Sequence, residues 1–182
     1  MNASSLCLPE DLVLAPSKSP CKTGFGFGVQ GGADGALGVG AAGATATGGA
    51  GAGVFLGGNQ GVGVGGYASG GAAAYTGSSV AGSPAQTMGG NPSAVGAGVG
   101  PLGGGVYLTN ASQASQLRGP FLTIGAGVGL EVSLGAQVSI GVDASGNTIW
   151  QVQFSGGYGW GLYGYSLTTN AVAKGTGGNC GG

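Results

Sequence analysis

The chain has 182 residues, 48 of them glycine, and only 5% of its side chains are charged, for a formal net charge of −1. Glycine without a strict third-position repeat excludes a collagen helix. Hydrophobic residues at 42% exclude the low-hydrophobicity, high-charge composition of a disordered chain, and the net charge of −1 favours neither nucleic acid nor an anionic membrane surface.

Residues 1–23 form a proline-containing arm that carries Glu10, Asp11, Lys18 and Lys22. Those two acids interrupt the N-terminus, and no basic stretch precedes an apolar one, so no cleaved signal peptide is expected. Export would need another route, or the chain is part of something longer. Cys7 and Cys21 flank the loop containing Pro9, Pro16 and Pro20 and could form a disulfide; three free thiols, with Cys180, are the alternative.

From Gly24 the texture changes to a two-residue rhythm. It appears in Gly24–Val29, Gly61–Gly65, Val95–Gly100 and Gly125–Gly129, where glycine takes one parity and apolar residues the other. Period two is the strand period, because successive side chains point to opposite faces. From Gly35 to Leu117 no Asp, Glu, Lys, Arg or His interrupts the chain.

The strongest signal runs from Leu122 to Val142. Leu122, Ile124, Val128, Leu130, Val132, Leu134, Val138, Ile140 and Val142 hold the even positions, with Ala126 and Ala136. Small, polar or charged residues hold every odd one. A single strand of this length exceeds the usual 3–10 residues. A bend is therefore expected near Leu134–Ala136, hinged at Gly135 and preserving parity. The turn-rich cluster 143–147 predicts a hairpin that pairs Val142 with Thr148 and brings Trp150, Val152 and Phe154 onto the same apolar face. That face is either a core or a lipid-facing surface. Residues 156–167, rich in tyrosine, read as one more strand, and residues 171–182 as a flexible tail. The fold class is all-β: an antiparallel meander of roughly eight or nine glycine-rich strands within residues 24–170, closed as a barrel or stacked as a sandwich.

Catalytic chemistry has few tools. Without histidine, Ser-His-Asp, Cys-His and most zinc arrangements are excluded. Of the five carboxylates, only Glu10 and Asp11 are adjacent, and both lie in the arm. No enzyme activity, cofactor or metal is expected. Asn2-Ala3-Ser4 and Asn110-Ala111-Ser112 match a glycosylation acceptor, a triplet common by chance. Glu131 could line a pore or pair with Arg118, or serve as an exposed strand charge. Trp150, Phe154, Tyr158, Trp160, Tyr163 and Tyr165 form either an interfacial belt or ordinary core and cross-strand stacking.

The segment Leu108-Thr109-Asn110-Ala111-Ser112-Gln113-Ala114-Ser115-Gln116-Leu117-Arg118-Gly119-Pro120-Phe121, followed by glycine-alternating strands, resembles the glycine-rich variable C-terminal regions of Rhs-type bacterial polymorphic toxin proteins. The resemblance covers about residues 100–170 and none of that family's core repeats. It implies contact-dependent delivery to a target cell and an immunity protein as partner, and it supplies no catalytic residues. Two functions follow as expectations: a membrane-active, pore-forming β domain, secreted or delivered and inserted in lipid, or a soluble structural module that packs against itself or a partner chain.

Overall fold

The computed structural model describes residues 22–39, 42–58, 61–76 and 93–176. The arm before Lys22, with Cys7 and Cys21, lies outside the described residues, as does the chain beyond Thr176. Among the described residues there is no α-helix; a single 3-10 turn spans Ala114–Leu117.

Six antiparallel strands make one sheet: β1 (Phe25–Val39), β2 (Ala42–Gly58), β3 (Gly61–Thr76), β4 (Ser93–Thr109), β5 (Gly119–Val142) and β6 (Thr148–Gly175). The order is β3-β2-β1-β4-β6-β5. The far end of β6 runs past the last partner on β4 and pairs with β3, Gly65 opposite Gly175 through Gly70 opposite Asn170. Asn170 and Ala171 thus have β5 on one edge and β3 on the other. This pairing makes a ring of β3, β2, β1, β4 and β6, with β5 attached outside it.

The all-β antiparallel class agrees with the sequence. The strand number among the described residues is six rather than eight or nine, because the strands are long. The segments Val95–Gly100 and Gly104–Thr109 belong to one strand, and the aromatic segment 156–167 continues β6. β6 also takes in residues 171–175 of the stretch read as tail. The hairpin has the expected register: Val142 stands opposite Thr148, and pairing continues without a shift to Gly119 opposite Ala171.

The expected bend exists four residues before Gly135. Glu131 has φ 79, the one positive φ at a non-glycine residue among those described. Contacts are symmetric about it: Thr123 Oγ1 lies 2.9 Å from Ser139 Oγ, Gly141 lies against the Phe121 ring, and Gly129 lies against Ser133. β5 therefore folds back on itself, and its partner follows at Gly161, φ 97. β4 breaks register between Val99 and Leu102, and β1 between Gly32 and Gly35. One corner crosses four strands. At β4 it also exchanges parity: Ala94, Gly98 and Gly100 point in before it, Tyr107 and Thr109 after it.

Glycine makes the inner layer possible. Four inward aromatics stand directly opposite a glycine on the neighbouring strand: Phe55 on Gly26, Tyr67 on Gly51, Tyr163 on Gly127 and Tyr165 on Gly125. In each case a Cβ on the glycine would run into the ring. The ring occupies the place of the missing side chain, which restores buried area and pins the register of a strand that glycine would otherwise leave slippery. Gly125→Ala must displace the Tyr165 ring and is expected to cost about 1–3 kcal/mol. Gly164→Ala, whose Cβ would meet only the Gly125 carbonyl at 3.7 Å, should change stability by less than about 1 kcal/mol. Denaturant titrations of the two variants check the contrast.

Candidate functional site

The alternation settles into an outer apolar face and an inner polar one. Leu130 is 90% exposed, Tyr158 75%, Val132 70% and Leu134 66%, whereas Ser133 is 1% and Thr123 0% exposed. All twelve residues assigned from sequence to the apolar face lie on this outer side. Ile124, Val128, Leu130, Val132, Leu134, Val138, Ile140, Val142, Trp150 and Phe154 are exposed, and Leu122 and Val152 half-buried. β1, β3 and β4 continue the surface with Phe25, Phe27, Val29, Val62, Val64, Leu102 and Val106. The aromatics divide by parity: Trp150, Phe154, Tyr158 and Trp160 face out, while Tyr163 and Tyr165 are buried.

The interior combines a hydrogen-bonded polar network with two apolar clusters, one around Phe55, Tyr107, Leu117, Phe121 and Ile149 and one around Ala36, Ala94 and Leu167. Tyr67 donates to Gln30 Oε1 at 2.6 Å, Tyr165 to Gln137 Oε1 at 2.7 Å and Tyr163 to Asp34 Oδ2 at 2.9 Å. Thr123 meets both Ser139 and Thr169, at 2.9 and 2.8 Å. Tyr67 and Tyr107 pack edge to face at 5.2 Å, and Tyr163 stacks on Tyr165 at 6.2 Å. Burial holds the Tyr107 hydroxyl at a pKa of about 12 and raises those of Tyr67, Tyr163 and Tyr165. All four stay protonated; Tyr67, Tyr163 and Tyr165 donate, whereas the buried Tyr107 hydroxyl has no hydrogen-bond partner among the described residues. The space left among Gln30, Asp34, Thr47, Gln137 and Gln153 is about 30 Å³, room for a water or two. Buried side chains of the two apolar clusters and the tyrosine network occupy the interior around it.

One end of the interior is closed by the segment 110–118, the stretch that carries the toxin-family resemblance. Ala111, Ser112, Ala114, Gln116 and Leu117 are buried there. Gln116 accepts from Ser112 N at 2.7 Å and donates to Asp143 Oδ2 at 2.8 Å. Asp143 also accepts from the backbone N–H groups of Ser145 and Asn147, both at 2.9 Å. The cap is thereby tied to the hairpin loop. Asn110, of the glycosylation-like triplet, donates to Thr148 O at 2.9 Å and accepts from Trp150 N at 2.8 Å. Arg118 donates to Ala173 O at 2.6 Å at this end, whereas Glu131 sits exposed at the corner, well along β5. The suggested Glu131–Arg118 pairing is not made.

Sequence reasoning missed the inward network of Asp34, Gln30, Gln137 and Gln153. Their inward parity was legible only for the two on the β5–β6 hairpin. Among the described residues no cluster of acids and thiols could hold a metal ion. No family model, curated protein or solved structure matches the chain.

The half-buried Asp34 and the buried Asp143 move in opposite directions. Burial raises the Asp34 pKa above its ordinary 3.8, against hydrogen bonds from Tyr163 and Tyr165. Burial also acts to raise Asp143, but its hydrogen bonds from Gln116, Asn147 and Ser145 outweigh that and leave it below 3.8. Asp34 is thus more easily protonated folded than unfolded, and its contribution favours folding as pH falls from its raised pKa to the ordinary value. The contribution of Asp143 is present above the ordinary carboxylate value and is lost as pH falls through its lowered one. Thermal melts against pH should show stability rising on mild acidification and dropping on stronger acidification. Asp34→Asn should remove the rise. Asp143→Asn should remove the drop and cost about 1–3 kcal/mol at neutral pH through its broken acceptor network.

Proposed function

We propose that this chain is a non-enzymatic β protein that inserts into a lipid bilayer, apolar face outward and polar face inward. One observation carries the reading: on β5 and the first limb of β6 the even-parity side chains are mostly apolar and exposed, while the odd-parity ones are mostly polar or absent and turned inward, with Phe121 and Ile149 as buried apolar exceptions and Glu131 as an exposed one. Lipid favours that distribution and water opposes it. The corner supports the reading by dividing β5 and β6 into limbs of crossing length. Trp150 and Trp160 are ten residues apart on β6. At about 3.3 Å per residue and a tilt of roughly 40°, that span matches the ~25 Å apolar band of a membrane sheet. Trp150, Phe25 and Phe27 then stand at one interface, Tyr158 and Trp160 at the other. Pairing of β3 with β6 leaves fewer backbone groups unsatisfied, which lipid requires.

The resemblance to polymorphic toxins fits delivery to a target cell, with an immunity protein as the partner. A pore-forming step would need the interior layer to rearrange, since the folded interior is filled. A second reading is a soluble module covered by another chain. It is favoured by the outer edge of β5, which has no strand partner among the described residues, and by an apolar groove of about 410 Å³ beside it, lined by Val128, Leu134, Phe154 and Leu162.

Flotation with liposomes separates the readings. The membrane reading expects the protein to float with phosphatidylcholine vesicles and to resist carbonate extraction. Leu134→Arg, which places a charge in the band, should destabilise the inserted protein by about 2–4 kcal/mol. A protein that stays in the aqueous fraction, monodisperse without detergent, contradicts it. Steady dye release by the folded protein would contradict the closed interior.

A further inference from the structure

The outward charges are segregated along the fold. The described basic residues are Lys22, Arg118 and Lys174, and all three are exposed. All three leave backbone held by the cap at residues 110–118. Lys22 O accepts from Ser112 Oγ at 2.7 Å, Arg118 ends the 3-10 turn and donates its Nε to Ala173 O, and Lys174 follows Ala173 opposite Gly66, next to the Gly65–Gly175 pair that lies against Ala114. The acid at this pole, Asp143, is buried and its carboxylate is taken up by Gln116, Ser145 and Asn147. Counting it, the described residues give the pole three positive charges and one negative, net +2. The opposite pole is the corner, where Glu131 is exposed among Leu102, Leu130, Tyr158 and Trp160. Between the poles the outer face is uncharged among the described residues.

We infer that the cap pole is a docking surface for anionic lipid headgroups, with Lys22, Lys174 and the free end of the Arg118 guanidinium contacting their phosphates. This rests on the membrane reading and adds to it a lipid class and an orientation: the cap stays with the headgroups it meets, and the corner crosses. The complementarity is specific in sign and place. A chain with net charge −1 has no reason to prefer an anionic surface unless one face presents its cations together. A guanidinium offers a phosphate a fixed fork and an ammonium a point charge. Beside them, Phe25, Phe27 and Trp150 are exposed, the side chains that settle at headgroup level. A basic residue near an anionic surface strengthens binding by about fivefold at moderate salt and less as salt screens it.

The test uses the full chain and measures partition by flotation into phosphatidylcholine vesicles with and without phosphatidylglycerol, at low and high salt. Tighter partition into the phosphatidylglycerol vesicles is expected, with the difference shrinking in high salt. The double variant Lys22→Gln, Lys174→Gln should lose about 25-fold on phosphatidylglycerol vesicles, two charges at about fivefold each, and nothing on phosphatidylcholine alone. Lys22→Arg, Lys174→Arg keeps the charge and should behave as wild type, which separates a lost contact from a folding defect. Equal partition into both vesicle types overturns the inference and leaves the membrane reading standing. Failure to enter either kind overturns both. Preference for phosphatidylglycerol that survives the charge-removing variant also overturns it, because the headgroups would then be recognised elsewhere.

Discussion

Everything in this fold rests on aromatic rings lying where glycine has no side chain. Phe55 covers Gly26, Tyr67 covers Gly51, and Tyr165 and Tyr163 cover Gly125 and Gly127. Glycine alone makes weak strands, since it brings entropy to lose and no side chain to pack. Set opposite an aromatic ring, the same glycine becomes a slot. The rings fill a thin interior, and their hydroxyls reach Gln30, Asp34 and Gln137 across it. Beside the rings the interior holds few aliphatic side chains, chiefly Leu117, Ile149 and Leu167, so most of the Leu, Ile and Val go to the other face.

That reverses the usual economy of a water-soluble sheet. Burial of apolar area normally supplies the main driving force; here small apolar clusters, hydrogen bonds, ring packing and strand pairing hold the interior, and most of the Leu, Ile and Val area remains on the outside. On the membrane reading proposed above, such a molecule gains its stability where the outer face meets hydrocarbon. The same logic explains the near-absence of charge. A charged side chain on the outer face would stand in the band, and on the inner face it would need a partner. Asp34 has its partner in Tyr163, and Asp143 in the cap and hairpin loop. Lys22, Arg118, Lys174 and Glu131 sit at the poles.

Much of this was written in the sequence, and some of it was not. The β5–β6 hairpin was legible because 143–147 is a run of turn residues between two alternating segments, and a five-residue loop leaves Val142 only one partner. The two faces were legible for the same reason. Which face points in was not, because alternation records a difference between environments without naming either. The corner was half legible. Apolar residues on β4 change from odd positions (Val95, Val99) to even ones (Leu102, Val106, Leu108) across Gly100-Pro101, which is the trace of a bulge. On β5 parity is kept, so nothing marked Glu131 as the hinge, and Gly135 drew attention only because glycine bends easily. Among the described residues the strands are fewer and longer than expected, because glycine punctuates these strands without ending them.

The most direct test is a nitroxide scan of positions 132–142 in liposome-reconstituted protein, with the native cysteines replaced. Collision with molecular oxygen, which concentrates in lipid, should alternate: strong at Val132, Leu134, Val138 and Ile140, weak at Ser133, Gln137 and Ser139. Loss of alternation, or the opposite phase with the even positions shielded, would contradict the account.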